Sequence, residues 1–176
     1  PLNRSRAVPN PDRDGEKYPA SYCTYAPERI LPLTTDIRQV RARIASLIAQ
    51  GSTNTTIGMA WGLNILNPSA PLGGGAAPAG GSKPTRVLVF MTDGINNQDR
   101  FKQTALEMDA DMRELCREAK STDVRIFTVR FVQGNDALLR DCASDPADFY
   151  TTDSAAGIAP IFRSIGKKLT KLRLAS

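Results

Sequence analysis

The run Arg86-Val-Leu-Val-Phe-Met-Thr-Asp93-Gly94 constrains this chain more than any other stretch. An unbroken series of β-branched and apolar residues ends in a carboxylate and a glycine. Runs of this kind suit a strand buried on both faces, as in a parallel sheet. Asp93 then falls at the carboxyl end of the strand, where open α/β sheets bind their ligands. Gly94 lets the backbone turn sharply straight after the acid. The stretch therefore reads either as an acid presented at the rim of a parallel sheet or as an acid that caps a turn.

The residues downstream of Gly94 fit the sheet. Residues 95–102 are polar and loop-like. The spacing of Leu106, Met112, Leu115, Cys116 and Ala119 predicts a helix over 103–121 with those residues inward. Residues 124–131 (VRIFTVRF) form a second strong strand, and Gln133-Gly-Asn135 is its exit loop. A short helix over 136–143 leads to a short strand at 149–151. The last helix starts near Ser154, with Ile158, Ile161, Phe162, Ile165, Leu169 and Leu172 as its stripe. Strand and helix thus alternate three times, the α/β pattern of a parallel sheet with right-handed crossovers.

Upstream the pattern is less regular. Residues 1–28 carry prolines at 9, 11, 19 and 27 without periodicity and read as an irregular arm. Residues 29–33 (RILPL) are a short strand, demoted to an edge by Pro32. Thr34, Thr35 and Asp36 offer caps for an amphipathic helix with Ile37, Val40, Ile44, Leu47 and Ile48 on one stripe, ending near Gln50 with Gly51 as its cap. Next comes Gly51-Ser-Thr-Asn-Thr-Thr56. A helix occupies 55–67, with Ile57, Ala60, Trp61 and Ile65 as its buried face and Pro68 helping to end it. Capping that helix needs only one of Thr53, Asn54 and Thr55, so the surplus of hydroxyls points to a ligand or ion. Residues 68–84 are rich in Gly, Pro and Ala and form a flexible surface loop.

Composition removes several function classes. The chain of 176 residues fits one domain. It has no histidine, which excludes Ser-His-Asp and Cys-His catalysis and any His-ligated metal. Cys23, Cys116 and Cys142 form no CxxC pair; they fit one disulfide with an odd Cys, or three buried thiols. The net charge of +5 is partly concentrated at Lys167, Lys168, Lys171 and Arg173. No aromatic residue interleaves with these charges, so they read as a solvated helix face and not as a nucleic-acid site. No apolar run approaches the roughly 18 residues that span a bilayer. The glycines at 73–75 follow a loop, not a strand, and make a poor phosphate cradle.

Two motifs on either side of a helix and a loop, Gly51-Ser-Thr53-Asn-Thr and Met91-Thr-Asp93-Gly94, resemble the second and third motifs of a von Willebrand factor A domain. Leu33-Thr34, Ala60-Trp61-Gly62, Leu115-Cys116, Leu139-Arg-Asp-Cys142-Ala143 and Leu172-Arg-Leu174 extend the likeness over residues 29–176 to the TadE/TadG-type proteins of tight-adherence pilus assembly. The resemblance implies a doubly wound, mainly parallel sheet flanked by helices. It also implies a metal-ion-dependent adhesion site at the carboxyl end of that sheet. Thr53 and Asp93 match its ligand positions for Mg2+, with Ser52, Asn54, Thr55 and Gly94 beside them, facing the ligand or supporting it. Hard oxygen donors and water suit that ion. The family's first motif, Asp-x-Ser-x-Ser on the first strand, is not found in this chain. The chain is therefore expected to be the C-terminal portion of such a domain, with the first strand upstream and the strand at 29–33 left without a neighbour; the alternative is a member that has rearranged or lost its first strand.

The resemblance further implies the periplasmic side of a bacterial inner membrane, with membrane attachment only through an upstream anchor. Disulfides persist in that compartment, and Cys116 and Cys142 are expected to pair. The implied function is non-enzymatic: a module that binds a pilus or surface protein, and no nucleic acid. Two alternatives stand beside it. One is a structural scaffold whose metal site has degenerated. The other is a Mg2+-dependent phosphoryl-transfer enzyme using Asp93, which would want a second acid closer than Asp99.

Overall fold

The computed structural model describes residues 29–49, 51–67, 84–98 and 104–174. The arm at 1–28 with Cys23, the loop at 68–83, and Asp99 lie outside the described residues, as do the side chains of Leu172 and Arg173.

Three parallel strands, β1 (Arg86–Thr92), β2 (Val124–Phe131) and β3 (Phe149–Thr152), form one sheet in the order β1-β2-β3. Arg86 pairs with Val124 and Thr92 with Arg130, so β1 and β2 end together at their carboxyl ends. Among the described residues five α-helices accompany them: α1 (Ile37–Ser46), α2 (Thr55–Leu66), α3 (Ala105–Ser121), α4 (Asp136–Cys142) and α5 (Ala155–Leu174). The period of two along β2 divides the core. Val124 and Ile126 pack with Met59, Met112, Cys116, Leu138 and Leu139 from α2, α3 and α4. Phe127 and Val129 pack with Ile165, Ile161 and Leu169 of α5. The result is a helix–sheet–helix sandwich.

Local signals set the helix starts. Thr104 and Glu107 form a reciprocal capping box at α3: Thr104 Oγ1 accepts from the Glu107 amide, and the Glu107 carboxylate accepts from the Thr104 amide. The backbone and side-chain hydrogen bonds from Thr104 hold the Glu107 carboxyl below its usual range. At α5, a Cβ on Gly157 would sit 2.0 Å from Thr152 Oγ1, so only glycine lets this helix approach β3 so closely.

Several expectations are corrected. Residues 29–33 are not a strand: Pro32 offers no N–H to a ladder, and among the described residues no strand lies there to pair with. α1 ends at Ser46, four residues early, with Leu47 and not Gly51 at its cap. None of its residues is buried; Ile48, just beyond it, is 72% exposed. The inward face of α2 is Thr55, Met59, Leu63 and Leu66, while Ile57 and Trp61 are exposed. That helix is apolar nearly all round, so its periodicity does not choose a face. On α3, Met108 and Asp109 turn inward and Leu106 is 79% exposed. β1 is mostly half-buried, whereas the central strand β2 is buried at Val124 and from Ile126 to Val129. The outer edge of β1 pairs with no strand among the described residues.

The basic tail is only partly a solvated face. Lys168 reaches the fully buried Asp148 at 2.9 Å, and Arg125 reaches the other oxygen of the same carboxylate at 2.8 Å. Arg125 and Lys168 also lie over the Phe127 ring. This cluster joins the amino end of β2, the 3-10 turn Pro146–Asp148 and α5.

Cys116 and Cys142 are bonded as a disulfide, as expected, with their Cα atoms 5.1 Å apart. The bridge joins α3 to α4 inside the core beneath β2. No helix among the described residues is long and apolar enough to cross a membrane.

Candidate metal site at the carboxyl end of the sheet

The two sequence motifs meet in space at the carboxyl end of β1. Loop 93–98 leaves that strand and folds back over the N-terminus of α2. Five hydrogen bonds lace the segments together. The Thr53 amide donates to Asn97 Oδ1 at 2.8 Å, and the Asn97 amide returns a bond to the Thr53 carbonyl at 3.1 Å. Asn54 Nδ2 donates to the Gln98 carbonyl at 3.1 Å. The Thr55 amide and hydroxyl both donate to Asn96 Oδ1, at 2.6 and 2.8 Å.

The turn itself is not made by glycine flexibility. Gly94 does not have a positive φ. Thr92 supplies the turn: its hydroxyl accepts from the Gly94 amide and donates to the Gly94 carbonyl. Gly94 is needed for space, because a Cβ there would lie 2.8 Å from Thr53 Oγ1. Thr53 and the Asp93–Gly94 turn are therefore in contact.

The surplus of polar residues is largely accounted for by structure. Asn54 is the cap of α2, accepting from the Ile57 amide at 3.0 Å. Thr55 is buried and faces Asn96, not solvent. The Thr56 hydroxyl donates to the Met108 carbonyl of α3 at 2.6 Å. Asn54 and Thr55 are both engaged in holding loop 93–98 to the start of α2. Ser52 and Asp93 are exposed and Thr53 is half-buried. Among the described residues, neither the Thr53 hydroxyl nor the Asp93 carboxylate is engaged in a hydrogen bond or ion pair.

Behind the rim lies a polar network that sequence reasoning missed. Asn96 Nδ2 donates to Asp109 Oδ1 at 2.7 Å, and Asn135 Nδ2 donates to Asp109 Oδ2 at 2.6 Å. Asn135 also caps α4 through its oxygen. The signal was present in the pair Asn96-Asn97 directly after Asp93-Gly94-Ile95, two amides in a loop that must hold a strand end against a helix start. The space enclosed among Thr55, Thr92, Gly94, Asn96, Asp109 and Asn135 is about 10 Å³. That is room for about one water.

A site with one exposed carboxylate and one unengaged hydroxyl fits a hard divalent cation that keeps several waters; Mg2+ is commonly held by one or two carboxylates. It does not form a closed protein cage: among the described residues no three acidic or cysteine side chains cluster. Asp109, the acid of the network, is buried and both its oxygens accept from amides.

A parallel α/β sheet carrying oxygen donors at its carboxyl rim defines the class of this protein. The model of the von Willebrand factor type A domain matches residues 20–163, and the chain belongs to that family. No curated protein is similar enough to count as a relative. Among solved structures, the chain is similar to proximal thread matrix protein 1 from the mussel byssus, at 14% identity and a TM-score of 0.51 over 73% of this chain and 28% of that one. A second structure of that protein, with a zinc-occupied MIDAS motif, aligns at 17% identity and a TM-score of 0.54 over 73% of this chain and 29% of that one. At these identities the likeness is one of fold. The chain spans less than a third of the length of those proteins.

Proposed function

We propose that the Thr53–Asp93 rim is the metal-dependent contact point of a non-enzymatic, protein-binding module. One observation carries this reading: the Thr53 hydroxyl and the Asp93–Gly94 turn come together from separate segments, both donors unengaged among the described residues. Asp93 and Thr53 would hold a divalent ion, Mg2+ in the first instance. The ion would supply an open coordination position that a partner's carboxylate fills. The zinc-occupied MIDAS motif of the mussel protein supports a metal-binding reading of such a fold.

The finer reading is a component of bacterial tight-adherence pilus assembly on the periplasmic side of the inner membrane. The TadG-like motifs in order along the chain support it. The buried Cys116–Cys142 disulfide supports an oxidising compartment. An enzymatic role for Asp93 is disfavoured because the second carboxylate, Asp109, is committed to two amides.

The test is a titration of the chain with Mg2+ and with Mn2+, read by amide NMR. Saturable shifts or paramagnetic broadening centred on Thr53, Asp93 and Gly94, lost in Asp93→Ala, are expected. An unchanged spectrum at millimolar ion would leave the rim as part of a metal-free scaffold.

A further inference from the structure

Asp109 has no part in the proposed ion site, yet it is a carboxylate only 6% exposed on the inward face of α3. We infer that Asp109 is the positioning residue of the rim: its carboxylate fixes how Asn96 faces Thr55 and thereby holds Thr53 against Gly94. Matching of donors to acceptors leads there. An ionised carboxylate only accepts. Asn96 must therefore turn its NH2 toward Asp109, which leaves its oxygen toward the N-terminus of α2. That oxygen takes both the amide and the hydroxyl of Thr55, two residues from Thr53. Were Asn96 to flip, its NH2 would confront the Thr55 N–H, donor against donor. The second oxygen of Asp109 accepts from Asn135, the cap of α4, so the same carboxylate ties loop 93–98 to the loop after β2. One buried acid thus connects the loops after two adjacent strands to the start of α2. The Thr53–Asn97 amide pair is the outer end of this chain of contacts.

The balance of donors makes the inference testable by exchange. Asp109→Asn has one oxygen for two amide donors, so an N–H meets an N–H. Adding Asn135→Asp reverses the second contact: residue 109 then donates to residue 135, which still accepts from the Leu138 amide and still caps α4. Asn135→Ser is a milder variant that keeps a cap and removes one arm. Native-state amide hydrogen exchange is measured on the full chain for each. Loss of a charge-assisted bond is expected to speed exchange at Thr53, Thr55 and Asn97 by about tenfold or more in Asp109→Asn. The β2 amides of Thr128 and Val129 are expected to change less, and the double variant is expected to restore the wild-type pattern. If Asp109→Asn does not fold, Asn135→Ser and the double variant decide by the same readout.

Equal acceleration at rim and β2 amides, unchanged rim amides, or a folded double variant with loosened rim amides would each overturn the inference. So would failure of the double variant to fold, because matched contacts should suffice. The inference extends the reading of the rim as an ion site, but its readout is independent of metal. A wild-type chain that ignores Mg2+ defeats the ion reading and leaves the exchange result to judge Asp109.

Discussion

The Thr53 hydroxyl occupies the space that a side chain at Gly94 would need: the distance to a Cβ built there is 2.8 Å. Two segments about forty residues apart are thereby held in contact, one starting α2 and the other ending β1. The close approach places the Thr53 hydroxyl against the turn that directly follows Asp93. It also explains why glycine follows the acid, since the turn itself is built by Thr92.

Gly94→Ala should therefore act on the rim more than on the fold. The new methyl displaces Thr53, whose hydroxyl rotates or whose loop lifts. The off-rotamer cost is about 1 kcal/mol, equivalent to a Tm loss of roughly 2–4 °C in a chain of this size. Any ion-dependent shift at Thr53 should vanish. Retention of a full Mg2+ response in Gly94→Ala, measured by the same NMR titration, would show that the Thr53 hydroxyl is not a ligand.

The disulfide closes a loop with a sequence separation of 26. Chain entropy alone assigns such a loop about 3.5 kcal/mol. Replacing both cysteines by Ala should lower Tm by roughly 7–14 °C by scanning calorimetry, and reduction of the wild type should move Tm in the same direction. A loss under about 2 °C would mean that the α3–α4 packing holds without the bond.

The strand–helix alternation from Arg86 onward was legible because strong propensity and burial agree there. β2, α3, α4, β3 and α5 lie where the spacing puts them, to within a residue or two. Thr53 and Asp93 stood out through their motifs. What could not be read was anything decided by partners far apart in sequence. The phase of α2 is set by Asn54 as its cap and by packing of Met59 against α3, which an all-apolar helix does not announce. Leu106 looks inward by spacing, but the capping box starts α3 so that Met108 and Asp109 take the inner face. The roles of Asn96, Asn97 and Asp109 depend on contacts with Thr53, Thr55 and Asn135, across 41 residues in the case of Thr55 and Asn96. Residues 29–33 had strand-like composition but no partner strand among the described residues, and a strand exists only as part of a ladder.

Asp148 should be the most sensitive charged position away from the rim. It is 0% exposed and neutralised by Arg125 and Lys168. Asp148→Ala leaves two cations facing each other beside the Phe127 ring. Breaking a buried pair in this way costs about 3–5 kcal/mol, so urea unfolding should show a midpoint lowered by that energy divided by the slope, with the slope itself little changed. The rim amides should keep their exchange rates, because the cluster lies at the opposite end of β2.

The same cluster sets an alkaline limit. Desolvation works against the charge on Lys168, but hydrogen bonding to and attraction by Asp148 and Tyr150 together outweigh it, leaving the pKa above the usual lysine value of 10.5. A group whose pKa is raised on folding binds its proton more tightly in the folded chain. Its stabilisation is fully present below the unfolded value and disappears as pH climbs through the folded one. Stability should thus hold through neutral pH and fall once pH passes the usual lysine range, as α5 loses its tie to the Pro146–Asp148 turn. In Lys168→Met the starting Tm should be lower and this step of the alkaline decline smaller. The check is Tm as a function of pH for the two proteins at constant ionic strength. Parallel curves above pH 10.5 would mean that Lys168 contributes nothing through its charge.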